Sequence, residues 1–228
     1  MLSKLRVSII IFPGSNCDRD LKNAIEKIYK CKPQLIWYTE SHIENTDIIF
    51  IPGGFSFGDY LRAGVIATKS PAIKEIIRLS EKNYPIVGIC NGFQILTESN
   101  LLPGALIKNK NTKFLNKDIF LKLKFHKFKS KSNDNNIIKL PIAHGQGNYF
   151  IDNEKLKKIQ DNEQIILQYC SQDGTIDFQS NPNGSVNNIA AIQNKKGNII
   201  GMMPHPERAI DQDNQDGKFF LENLGNIL

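Results

Sequence analysis

The sequence predicts an α/β fold: a mostly parallel sheet flanked by helices, with additional antiparallel strands in the second half. Three observations predict it. The apolar runs at 6–12, 47–51 and 85–89 are continuous and rich in β-branched residues, as strands buried on both faces of a parallel sheet are. Stretches of helical spacing separate them, giving the alternation of a βαβ unit. Four more strand-like runs, at 137–143, 165–169, 185–193 and 198–202, then follow with little helical pattern between them.

Taken in order, the run at 6–12 ends at Pro13-Gly14-Ser15-Asn16, a turn signal. Residues 17–30 place Leu21, Ala24, Ile25 and Ile28 on one helical face. Strands are expected at 34–38 and 47–51. A glycine-rich loop, Pro52-Gly53-Gly54-Phe55-Ser56-Phe57-Gly58, comes next. Ser70-Pro71 opens a helix, serine as cap and proline at the first helical position. A strand at 85–89 and a helix at 92–99 follow, and Leu101-Leu102-Pro103-Gly104 closes that unit. Residues 218–224 form a terminal helix.

The segment 108–131 is basic and invites a nucleic-acid reading. Its centre alternates, with Leu121, Leu123 and Phe125 on one side and Lys122, Lys124 and His126 on the other. That is a half-buried strand with a solvated lysine face, and lysine there discourages edge pairing. The polar stretch 129–136 is expected to be a hairpin tip.

The 228 residues fit one large domain, and we expect a single domain over 1–228, with no internal repeat and no long linker. With 40% hydrophobic and 23% charged residues the composition is that of a globular protein. No run approaches the ~20 apolar residues of a membrane span, and the apolar run after Lys4 and Arg6 is too short for a signal peptide. The net charge of +6 comes mainly from lysine. The scarcity of arginine, which reads bases and phosphates bidentately, weighs against a nucleic-acid reader. Cys17, Cys31, Cys90 and Cys170 are widely spaced, without zinc-ligand spacing. That points to free thiols in a reducing, cytoplasmic setting, with no metal site. One of them can serve as a nucleophile, and the others are expected to act as small buried hydrophobes.

Gly88-Ile89-Cys90-Asn91-Gly92 has the glycine-x-nucleophile-x-glycine form that sits between a strand and a helix. The positive end of the helix favours a negatively charged sulfur. The motif alone suits a structural cysteine as well as a nucleophile; the flanking strand and helix supply the context a nucleophile needs. His205-Pro206-Glu207 offers a base and an acid two residues apart, expected to point the same way in an extended stretch stiffened by proline. The tripeptide by itself fits a loop histidine beside a solvated glutamate better than a base and its acid. His144, in Ala143-His144-Gly145-Gln146-Gly147-Asn148, is a rival base without an acid two residues on, and a substrate-side or structural role suits it better. His42 and His126 read as surface residues. Gly53, Gly54 and Phe55 follow a parallel strand at its carboxyl end, where α/β proteins place ligands. Backbone N–H groups of this loop and of Asn91 can hold an oxyanion, or the loop can hold a phosphate. The sequence has neither phosphate-loop nor dinucleotide glycine motif, so no ATP or dinucleotide site of those kinds is expected.

With these segments in hand the sequence resembles the class I, triad-type glutamine amidotransferases, whose fold is flavodoxin-like. Within them it is similar to the glutaminase subunits of phosphoribosylformylglycinamidine synthases. The matching segments run in order over nearly the whole chain: Phe12-Pro13-Gly14-Ser15-Asn16-Cys17-Asp18, Pro52 through Gly64, Gly88 through Leu96, Leu101 through Leu106, Ala143 through Asn148, Asn181 through Ser185, and Gly201-Met202-Met203-Pro204-His205-Pro206-Glu207-Arg208. The resemblance implies a triad of Cys90, His205 and Glu207, an oxyanion hole at Gly54 and Phe55, and Gln94 near the bound glutamine. It also implies a synthase subunit that carries ATP and Mg and receives ammonia, a small third subunit, and no cofactor in this chain. Gln146 departs from the family, which has glutamate there. Two alternatives stand beside this: a class I glutaminase of another pathway, and a non-catalytic regulatory subunit of the same fold.

Overall fold

The computed structural model describes residues 5–124, 128, 136–211 and 213–227. Its first strands are β1 (Val7–Ile11), β2 (Gln34–Trp37), β3 (Ile48–Ile51) and β4 (Ile86–Ile89). Helices α1 (Asp18–Tyr29), α2 (Pro71–Glu81) and α3 (Asn91–Glu98) alternate with them. The second half adds β5 (Ala105–Ile107), β6 (Leu115–Leu123), β7 (Ile137–His144), β8 (Asn148–Phe150), α4 (Asn153–Asp161), β9 (Ile165–Cys170), β10 (Ile189–Gln193), β11 (Ile199–Met202) and α5 (Asp216–Ile227).

Among the described residues the main sheet has the order β2-β1-β3-β4-β11-β10-β9-β6-β7, and β5 pairs with β8 in a small second sheet. From β2 to β11 every pairing is parallel, and from β11 to β7 every pairing is antiparallel. Strand β11 thus comes from the second half yet completes the parallel part, aligning Met202 with Ile89. The continuous isoleucine runs are explained by burial: every residue of β3, β4 and β11 is buried. Helix α1 packs on β1 and α5, and α3 packs on β4, β11 and β5. The Tyr29 hydroxyl donates to the Leu221 carbonyl at 2.8 Å, joining α1 to α5.

Local signals set the element ends. Ser70 Oγ accepts from Ile73 N at 3.3 Å and Pro71 opens α2, a cap worth about 1 kcal/mol. Leu121 and Leu123 are buried while Lys124 is exposed, as the alternation of β6 requires. Phe125, His126 and most of the expected hairpin tip lie outside the described residues.

Two expectations need correction. Residues 185–188 are not strand: a 3-10 turn spans Val186–Asn188, with Asn187 at φ 50°, and β10 begins only at Ile189. The sequence pattern does not announce helix α4. Its one buried residue is Ile159, so its amphipathic stripe is too thin to stand out. The signal that could have found it is Asp152, whose carboxylate accepts from Lys155 N at 2.9 Å as a helix cap.

Candidate active site

Cys90 stands at the junction of β4 and α3 with φ 51° and ψ −103°. A side-chain-bearing residue avoids this region unless its surroundings impose it. They do so here. Cys90 N donates to Met202 O at 2.7 Å, tying the turn to β11. A Cβ at Gly92 would collide with the Ile51 carbonyl oxygen, and one at Gly88 would press on Gly92. The two glycines therefore let the chain turn within the sheet. The turn leaves Cys90 Sγ 3.6 Å from Ala143 O at the end of β7.

His205 follows β11, and its N–H donates to Pro141 O at 2.9 Å. Its Nδ1 lies 2.6 Å from Glu207 Oε1, and both side chains are buried. The extended geometry expected from the sequence is not what joins them: Pro206–Arg208 is a 3-10 turn that folds the carboxylate back under the ring. Burial disfavours a charged imidazole, but the Glu207 carboxylate and the Cys90 and Cys17 sulfurs outweigh it and hold His205 well above its ordinary pKa. Its Nε2 has no partner among the described residues.

The glycine-rich loop completes the wall. Gly53 leaves no room for a Cβ, which would meet His205 Cε1 at 2.7 Å and Cys17 Sγ at 3.1 Å. Gly54 takes φ 146° against the backbone of Gly14 to Asn16. Its N–H has no acceptor among the described residues. Neither does that of Asn91 within its own helix, as the first residue of α3. Phe55 differs from expectation. Its N–H donates to Gly14 O at 2.8 Å, so it offers the site a ring rather than a donor. That ring lies 6.4 Å from Phe114. Gln94 is buried, and its Nε2 donates to Gln146 O at 2.7 Å. It is not a wall residue of the cavity described next.

Cys90 and His205 open into a cavity of about 230 Å³ whose walls include Asn16, Cys17, Gly54 and Arg208. A larger cavity of about 920 Å³ lies between the Leu101–Ala105 segment and α4. It contains no nucleophile beside a base, so the smaller one is the candidate site.

Sequence reasoning missed two side chains here. Cys17 does not act as a small hydrophobe: Arg208 Nη2 donates to its Sγ at 3.2 Å, and Arg208 Nε donates to Asp20 at 2.9 Å. Cys17, His205 and Glu207 offer ligand atoms within 4.8 Å of one another. The guanidinium on the sulfur and the Nδ1–Oε1 bond already engage that trio, which disfavours a cation there. His144 Nδ1 lies 3.1 Å from Asn109 Oδ1 and its Nε2 is unpartnered. Burial and nearby His205 push His144 down to about 4. His42 is exposed. All four cysteines are free.

Residues 4–218 match the family described as the CobB/CobQ-like glutamine amidotransferase domain. The chain is 46% identical over 225 residues to the phosphoribosylformylglycinamidine synthase subunit PurQ of Pelagibacter ubique, covering 97% of this chain and 98% of that one. It is 44% identical to the subunit of the same name from Chlorobium chlorochromatii, over 98% and 97%. Among solved structures it is similar to a chain of PurLQS from Thermotoga maritima, with a TM-score of 0.83, 36% identity and 98% coverage of both chains. A glutamine amidotransferase of Thermotoga maritima at 14% identity, TM-score 0.59, shares the fold.

Proposed function

The chain belongs to the CobB/CobQ-like glutamine amidotransferase family, and from that premise we propose that Cys90, His205 and Glu207 carry its chemistry. It is the glutaminase subunit of a phosphoribosylformylglycinamidine synthase, an activity supported by 43–46% identity to PurQ subunits of that enzyme over nearly the whole chain. The site observation behind the residue roles is His205, buried and held by Glu207 at 2.6 Å, facing the strained Cys90 turn.

The Cys90 thiolate attacks the side-chain amide carbon of glutamine. The tetrahedral oxyanion is held by the N–H groups of Gly54 and Asn91. His205, kept protonated by Glu207, gives its proton to the departing nitrogen, which leaves as ammonia. A glutamyl thioester remains on Cys90. His205, now neutral, takes a proton from water as it attacks the thioester, releasing glutamate and the thiolate. Ammonia passes to a synthase subunit, which holds the ATP and Mg, and a small third subunit completes the complex; a solved relative is described as PurLQS. In this reading the whole chain acts as one amidotransferase domain, without its own cofactor, in the cytoplasm. No helix among the described residues is long and apolar enough to cross a membrane.

Cys90→Ala in the assembled complex tests this. Glutamine-dependent synthesis is expected to fall by about 10³-fold or more, while synthesis driven by added ammonium salt stays at the wild-type rate. Loss of both activities would make Cys90 a structural residue and overturn the assignment.

A further inference from the structure

Beside the catalytic cavity runs a chain of side-chain amides whose direction is fixed at both ends. Gln146 O is a backbone carbonyl and can only accept, so Gln94 presents Nε2 to it, at 2.7 Å. Gln94 Oε1 then faces Asn91 Nδ2 at 2.9 Å. Asn91 Oδ1 in turn accepts the N–H of Ser56 at 3.1 Å. The relay thus links the loop at Gly145–Gly147, the helix after Cys90, and the segment that follows Gly54.

Asp59 supplies a second acceptor to this relay: Asn91 Nδ2 donates to its Oδ1 at 3.3 Å. No cation pairs with that half-buried carboxylate among the described residues. The backbone is contorted to bring it there, with φ 55° at Phe57, 73° at Gly58, 54° at Asp59 and 67° at Leu61. Phenylalanine and leucine are disfavoured in that region. An unpaired acid and a strained strap are both unfavourable features, and neither is needed to fold the sheet. Such features persist where they hold a functional geometry.

We propose that Asp59 is a positioning residue for the glutaminase reaction: by fixing the Asn91 carboxamide it clamps the Gly53–Phe55 loop to the nucleophile turn, so that the N–H groups of Gly54 and Asn91 converge on one oxyanion. The loop is already tied on its other side, through Phe55 N to Gly14 O and Phe57 N to Pro13 O, both at 2.8 Å. The side that faces Cys90 is tied through Asn91, which Asp59 helps to orient. Asp59 is not a wall residue of the cavity at Cys90 and His205. The proposal rests on the glutaminase reading above.

The test compares Asp59→Ala, Asp59→Asn and Asp59→Glu in the assembled synthase complex, measuring kcat and KM for glutamine and the thermal midpoint. Asp59→Ala is expected to lower kcat about 10-fold, with KM changed less than about twofold, because a misplaced oxyanion donor acts on the transition state. Asp59→Asn keeps an acceptor at the same place and is expected to restore at least about half of the rate. Asp59→Glu keeps the charge but displaces the acceptor, and is expected to lose about fivefold in kcat with the fold retained and the midpoint only slightly lowered, since φ 54° suits glutamate less than aspartate; it decides the matter if the alanine variant does not fold. Wild-type kcat in Asp59→Glu, or an effect on KM alone, would overturn the proposal. So would an Asp59→Asn variant as slow as Asp59→Ala. If the wild-type complex itself makes no product from glutamine, the glutaminase reading fails instead.

Discussion

Two histidines lie buried close together, one after β11 and one at the end of β7, and they are held in opposite states. His205 and His144 are 1% and 3% exposed, and each has an Nε2 without a partner. Burial acts on both in the same direction. The largest difference lies at Nδ1, where His205 meets the Glu207 carboxylate and His144 meets the neutral amide of Asn109. The first is raised well above its ordinary value and the second lowered to about 4. The Glu207 carboxylate, with the Cys90 and Cys17 sulfurs beside it, thus separates a histidine that can exchange protons at neutral pH from one that is only a neutral packing element. Once His205 is charged, it also helps to keep His144 neutral.

The largest effect should come from abolishing the difference. Glu207→Gln leaves an acceptor but no charge at Nδ1, and makes His205 resemble His144. Glutamine-dependent kcat in the assembled complex should fall by about 10²- to 10⁴-fold, with ammonium-driven synthesis intact.

His144→Gln should change kcat by less than about threefold and act on stability instead. The folded protein keeps His144 neutral down to about pH 4, whereas the unfolded chain takes up the proton near pH 6.5. The unfolded state therefore binds more protons in that window, and the stabilisation present above it is lost as pH falls, by up to about 3 kcal/mol. Denaturant titrations at pH 7 and pH 4 should show this slope in the wild type and its loss in the variant.

Asn109→Asp tests the comparison from the other side by giving His144 a carboxylate. Its ring should titrate about 1–2 units higher by NMR. The variant should lose about 2 kcal/mol of stability, because the Asn109 amide also donates to Lys113 O and His144 O, each at 2.8 Å.

The smallest effect concerns Asp59, which burial pushes up to about 6 although the hydrogen bond from Asn91 opposes it. The folded state holds this proton more tightly than the unfolded one, so stability declines as pH rises from about 4 to 6. Asp59→Asn removes that penalty. After allowance for solvent screening it should gain about 1 kcal/mol at pH 7, and the gain should vanish at pH 4.

The parallel part of the sheet and the Cys90 turn were legible because their signals are local: uninterrupted isoleucine for strands covered on both faces, glycines two before and two after the cysteine. The His205–Glu207 pairing was legible as composition but not as conformation, since proline is compatible with an extended segment and with the first position of a 3-10 turn. Cys17 was not legible, because the partner that makes it polar, Arg208, is 191 residues away in sequence. Asp59 was hidden for the same reason: only the strap's positive φ angles bring it to Asn91, 32 residues on. The turn at 185–188 was legible only in Asn187 and Asn188, both at positive φ, and the apolar run that follows from Ile189 outweighs that signal in the sequence.

The central position of β11, between β4 and β10, has a consequence for the order in which the protein becomes competent. Strand β4 can join β3 early, and the cysteine turn can be sketched by local contacts. The base and its carboxylate follow β11, which pairs locally with the adjacent β10 but must also pair with β4, encoded far earlier. Such non-local pairing closes a long loop and forms late. A chain emerging from the ribosome therefore presents its sulfur well before it has an imidazole to arm it, and hydrolytic capacity arrives only with the closing of the sheet.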